Sequence, residues 1–141
     1  PEFTQQPVSM LIIDLDYLKS INDIHGHQSG DLVLKTLAEV LRKNILNNSI
    51  AARFGGDEFV IFMPDANLRK AATFAEIIND NFSTKVRDFN YANPSPSLSI
   101  GVATAAASEK TTNFLKHADE NLYKAKKQGR NQIVASAISQ I

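Results

Sequence analysis

The chain has 141 residues, enough for one domain with a proper core, and its 43% hydrophobic and 21% charged content is that of an ordinary globular protein. Lysine plus arginine balances aspartate plus glutamate at 15 each, so the formal net charge is zero, which disfavours nucleic-acid binding through phosphate neutralisation. Cysteine is absent, which excludes disulfides and thiol chemistry and suits the cytoplasm, and no apolar run approaches the roughly 20 residues of a membrane helix.

No signal peptide is visible, and the chain opens Pro1-Glu2-Phe3 without a methionine. Residues 1–7 read as a cloning scar or linker, residues 8–135 as a folded domain cut from a longer protein, and residues 136–141 as a tail. Residues 8–15 (VSMLIIDL) form an almost continuous apolar run ending in acids, the pattern of a short buried strand. Residues 17–24 predict a short helix with Asp16 as its N-cap. Residues 25–30 (HGHQSG) read as a loop. Residues 31–46 set Val33, Leu34, Leu37, Val40, Leu41 and Ile45 on one helical stripe. Two strands, 50–54 and 58–63, flank a Gly55-Gly56 turn, and Pro64 closes the second. A helix follows from Leu68 to about Phe82 with Ala71, Phe74, Ala75 and Ile78 inward. After a polar loop over 87–96, residues 97–103 (SLSIGVA) predict a strand. Thr111 or Thr112 caps a helix burying Phe114, Leu115, Ala118, Leu122 and Ala125, Gly129 stops it, and residues 132–134 add a last short strand.

The order β-α-α-β-β-α-β-α-β fits an α+β fold, a ferredoxin-like or palm-type sheet with helices on one face. That topology sets the first strand antiparallel to the third. Asp14 and Asp16 at the end of one then meet Asp57 and Glu58 at the start of the other. Carboxylates gathered at a sheet end repel one another unless a cation joins them, and Mg²⁺ takes one or two carboxylates plus substrate phosphates. A phosphoryl- or nucleotidyl-transfer site is one reading. The other has Asp57 favouring the turn, Glu58 facing solvent and Asp16 capping a helix; spacing alone leaves the two even. Lys126 and Arg130, four residues apart, complement a helix dipole or hold a polyphosphate. Asn22 and Asp31 flank His25 and His27; they serve as surface and first-turn residues or as readers of a guanine edge. Two histidines without cysteine make a weak zinc signal.

Together these blocks resemble the GGDEF domain of diguanylate cyclases, which condense two GTP molecules into cyclic di-GMP. The blocks are DLDYLKSIND (14–23), GHQSGD (26–31), GGDEF (55–59), SIGV (99–102), and the helix running from Ala118-Asp119 to Gly129-Arg130-Asn131. The resemblance covers residues from about 8 to 134 and implies a sheet related to nucleotidyl cyclase catalytic cores. It implies Mg²⁺, with Mn²⁺ as a substitute, held by Asp14, Asp57 and the Leu15 carbonyl, with Glu58 a further ligand or the base for the attacking 3′-hydroxyl. Gly55 and Gly56 would let the backbone approach the nucleotide. Asn22, His27 and Asp31 would hold the guanosine, and Lys19, Lys126 and Arg130 the triphosphate, Lys19 also serving the transition state.

The same resemblance implies GTP as substrate, an antiparallel homodimer for catalysis, and an upstream sensory or dimerising domain. It implies a cytoplasmic location, even within a membrane-bound protein, and no nucleic-acid or membrane contact by this segment. The alternative is a non-catalytic GTP-binding regulatory module of the same family. The departures are Leu18 where phenylalanine is usual, Leu46-Asn47-Asn48-Ser49 where an Arg-x-x-Asp product site is usual, and no leading segment with Asp-x-Leu-Thr and Asn-Arg elements.

Overall fold

The computed structural model describes residues 6–91 and 93–139. The elements follow the expected order: β1 (Pro7–Asp16), α1 (Leu18–His25), α2 (His27–Asn44), β2 (Ile50–Phe54), β3 (Glu58–Pro64), α3 (Leu68–Arg87), β4 (Ser97–Ala106), α4 (Thr111–Lys127) and β5 (Gln132–Ala137). They build a five-stranded α+β sheet in the order β2-β3-β1-β4-β5. β4 and β5 run parallel and the other neighbours antiparallel. Residues 1–5 and 140–141, within the expected scar and tail, lie outside the described residues.

The near-continuous apolar run of β1 makes it the central strand, because it can bury both faces. Leu11, Ile13 and Leu15 pack with Val33 and Leu37 of α2 and Phe74 and Ile78 of α3. Val8, Met10 and Ile12 point the opposite way and pack with Phe114, Ala118 and Leu122 of α4. The helices therefore cover both faces rather than the one expected. The parallel pairing of β4 with β5 requires a crossover, and α4 is that crossover, laid over the second face. Gly101 in β4 permits the close approach: a Cβ there would sit 2.1 Å from the Ala118 carbonyl oxygen and 2.4 Å from the Leu122 nitrogen.

Asp16 is not a helix cap: Tyr17 precedes α1 in the left-handed region (φ 64°), with no side-chain cap bond. The expected loop over 25–30 shrinks to Gly26, whose φ of 95° turns the chain directly into α2. Asp31 is thus the fifth residue of α2, not part of its first turn. α3 continues five residues past Phe82, because Phe82 and Val86 extend its buried stripe at helical spacing. Lys110, not a threonine, precedes α4, and no side chain caps it. Gly129, with φ of 119°, ends the turn after α4 as expected. β4 and β5 run on to Ala106 and Ala137, longer than their sequence signals.

Candidate active site

The alternation of β1 decides which acids face which helix. Asp14 and Asp16 continue the Val8-Met10-Ile12 face, so both point to the side covered by α4. In the β1–β3 ladder Asp14 stands opposite Glu58, and in the β1–β4 ladder it stands opposite Ser99. The Asp57 carbonyl accepts the Leu15 amide at 3.0 Å, tying the hairpin to the end of β1. At the turn itself Gly55 has φ of 66°, which favours glycine, and the Gly56 carbonyl accepts from Arg53 Nη2 at 2.6 Å.

Lys126 on the last turn of α4 forms an ion pair with Asp14 Oδ2. Asp14 is only 6% exposed, and its other oxygen, Oδ1, is buried with no hydrogen-bond partner. Burial pushes the Asp14 carboxyl up to about 6; Lys126 holds it down by hydrogen bond and charge, while Asp57 and Glu58 add to the rise. Glu58 is raised as well, first by burial and then by Asp119 and Asp57, against the pull of Lys126. Three acids in one field with an unpartnered buried oxygen suit a hard divalent cation. Among the described residues no three histidine, aspartate or glutamate side chains form a ready cage. That donor set matches Mg²⁺, which takes one or two carboxylates and leaves the rest of its shell to waters and phosphates.

A second group lies on the α1–α2 side. The Asn22 side chain lies against Gly30, where a Cβ would come within 1.8 Å of Asn22 Oδ1. That Oδ1 is buried and has no hydrogen-bond partner. Asp31, exposed on the next residue, lines a cleft of about 380 Å³ with Leu34, Lys35, Ala38, Arg53 and Phe59. His27 is exposed at the first residue of α2, and Lys19 is exposed on α1. On the other side of the hairpin, Glu58, Phe54, Lys116 and Asp119 line a cleft of about 320 Å³. The β2–β3 hairpin therefore contributes to two clefts, one lined by Asp31 and the other by Glu58 and Asp119. A larger apolar groove of about 460 Å³ between α2 and β2 holds none of these acids.

Residues 2–132 match the family model described as "Diguanylate cyclase, GGDEF domain". The chain belongs to the GGDEF family. It is 41% identical over 134 residues to the response regulator PleD of Caulobacter vibrioides, covering 93% of this chain and 30% of that protein. It is 37% identical over 131 residues to diguanylate cyclase DosC of Escherichia coli, covering 92% of this chain and 28% of that protein. This GGDEF domain thus spans about a third or less of these curated relatives. Among solved structures, the GGDEF domain of DgcB from Caulobacter crescentus in complex with c-di-GMP superposes with a TM-score of 0.82 at 30% identity, over 93% of this chain and 77% of that one. The active GGEEF domain of a diguanylate cyclase from Vibrio cholerae superposes with a TM-score of 0.83 at 33% identity, over 96% and 85%.

Sequence reasoning missed three contributors to this site. Asp119 acts on Glu58 from α4. Ser97 and Ser99 donate to Asp16. The serines did leave a signal: in Ser97-Leu98-Ser99-Ile100 the polar residues alternate with buried apolar ones, so a strand must aim both hydroxyls at one face.

Proposed function

We propose that this domain is a diguanylate cyclase that binds one GTP per chain and, as an antiparallel homodimer, condenses two GTP into cyclic di-GMP with release of two diphosphates. The observation that carries this is the meeting of Asp14 and Glu58 across the β1–β3 ladder, with one buried Asp14 oxygen left unpartnered beside Lys126.

Asp14, the Leu15 carbonyl and Asp57 would hold Mg²⁺, or Mn²⁺ in its place, with Glu58 as a further ligand or as the base for the 3′-hydroxyl. When bound, the ion supplies Lewis acidity toward the α-phosphate and the 3′-hydroxyl. Asn22 and Asp31 receive the guanine edge, whose two donors match a carboxylate. His27 lies beside the nucleoside. Gly55 and Gly56, with nothing within 4 Å of where a Cβ would stand, leave room for the nucleotide to approach the backbone. Lys126 and Arg130 offset the triphosphate charge, and Lys19 offsets charge that grows in the transition state. In its role as base, Glu58 receives the proton of the attacking 3′-hydroxyl. That oxygen then bonds to the α-phosphorus of the facing GTP as the bond to diphosphate breaks.

The input comes from a sensory or dimerising domain elsewhere in the full-length cytoplasmic or membrane-bound protein. No helix among the described residues is long and apolar enough to cross a membrane. The test is a GTP turnover assay with Mg²⁺, separating cyclic dinucleotide from GTP, on this chain and on a forced dimer. Product from the forced dimer is the expected result. GTP binding without product in both forms would instead make the domain a non-catalytic GTP-binding module.

A further inference from the structure

Asp16 is almost wholly buried, 2% exposed, yet it neither caps α1 nor faces the open cleft. Both of its carboxylate oxygens are occupied by protein donors. Oδ1 accepts from Ser99 Oγ at 2.7 Å and lies 3.9 Å from Arg130 Nη1. Oδ2 accepts from Ser97 Oγ at 2.7 Å and from the Asn131 amide at 3.0 Å. A carboxylate so saturated has little capacity left for a metal. Its partners come from β4 and from the turn after α4.

That turn is conformationally unusual. Arg130 and Asn131 both lie in the left-handed region, with φ of 65° and 50°, and Tyr17 does so beside them with φ of 64°. Asparagine adopts that conformation readily, but arginine and tyrosine hold it where their surroundings over-determine it. The Asp16 bond to the Asn131 amide and the hydroxyls bracing the carboxylate supply such surroundings. The Arg130 guanidinium meanwhile lies over the Tyr17 ring, 5.4 Å from its centroid. The side chain thus lies near both a buried anion and an aromatic face.

We infer that Asp16 is a positioning residue: it holds the Arg130-Asn131 turn in its left-handed form, so that the Arg130 guanidinium is preset for the triphosphate of the bound nucleotide. This rests on the assignment of Arg130 to the triphosphate made above. Asp16→Asn keeps the size of the side chain but removes its charge and puts an amide donor where one of the two accepting oxygens stood.

The experiment is titration calorimetry with a non-hydrolysable GTP analogue and, separately, with guanosine, on the parent, Asp16→Asn, Arg130→Ala and the double variant. Asp16→Asn is expected to weaken the analogue about tenfold, the scale of a lost charged hydrogen bond, and to leave guanosine binding unchanged. In the Arg130→Ala background the same substitution should cost nothing further. A merely structural role would weaken guanosine and analogue alike, and would overturn the proposal; so would losses that add in the double variant. An Arg130→Ala protein that binds the analogue as tightly as the parent overturns the triphosphate assignment itself and the proposal with it. If Asp16→Asn does not fold, Ser97→Ala carries the same test: a smaller loss for the analogue with none for guanosine supports the proposal, and equal losses defeat it.

Discussion

Lys126 Nζ pairs with Oδ2 of Asp14, while Oδ1 of the same carboxylate is buried without any hydrogen-bond partner. A buried carboxylate served on one oxygen only is incompletely compensated, and its raised pKa of about 6 records this. Removing Lys126 takes away the contact that lowers the value. Lys126→Met should therefore move the Asp14 titration still higher, as read by carboxyl carbon-13 NMR in chelator-treated protein. The folded pKa stands above the ordinary 3.8, so stability due to Asp14 is full below about pH 4 and is lost as pH rises through about 6. Asp14→Asn should flatten that part of the stability profile, measured by urea unfolding across the range.

Asp57→Ala and Glu58→Ala should each abolish turnover in a forced dimer while the fold survives. Both residues are only half-buried, Asp57 in the turn and Glu58 at the start of β3, and Glu58 already resists ionisation there. The stability change should stay within about 1 kcal/mol. Thermal unfolding alongside product chromatography checks both halves; full turnover in either variant would remove that residue from the mechanism.

Guanine selectivity should depend on Asn22 and Asp31. Asp31→Ala should weaken GTP binding by roughly 1.5–3 kcal/mol, the range for a charged hydrogen bond, and let ATP gain relative to GTP. Gly30→Ala tests Asn22 indirectly. Its Cβ would fall 1.8 Å from Asn22 Oδ1, which is the end of a side chain and can swing away. The helix should survive and GTP affinity should fall, as competition calorimetry with both nucleotides would record.

Gly101→Ala should be far costlier to the fold. Here the new methyl meets the backbone of α4 at Ala118 and Leu122, which cannot swing aside. A loss of about 3 kcal/mol, the upper end for overpacking, is expected in chemical denaturation.

Control by product should also differ from that in relatives with an Arg-x-x-Asp site. Leu46 lies exposed in a groove with Lys43, Lys70, Phe74 and Ile77, and Ser49 carries no charge. An aliphatic side chain cannot replace a guanidinium that binds phosphate bidentately. Cyclic di-GMP should bind only at the half-site that GTP occupies. Calorimetry with the product under saturating non-hydrolysable GTP should therefore show no binding; tight residual binding would reveal a separate site.

The amino-acid sequence by itself determined most of the elements and the meeting of Asp14 with Glu58. A continuous apolar run made β1 central, and the Gly55-Gly56 turn set Asp57 and Glu58 at a strand start. Period-3.6 stripes marked α2, α3 and α4, and the order of elements brought Asp14 to face Glu58. These are local or topological properties, legible because burial repeats with the geometry of the backbone. Only the tertiary structure decided where Asp16 points. From the sequence it stood as an N-cap, yet its donors lie 81, 83 and 115 residues away. The same holds for α4, whose apolar stripe says that it is buried but not against which face; the parallel pairing of β4 with β5 settles that. Gly26 and Gly30 read together as a loop, whereas one turns the chain and the other sits inside α2 making room for Asn22. A glycine's role depends on what approaches it, and that neighbour is chosen by packing rather than by the residues beside it in the chain.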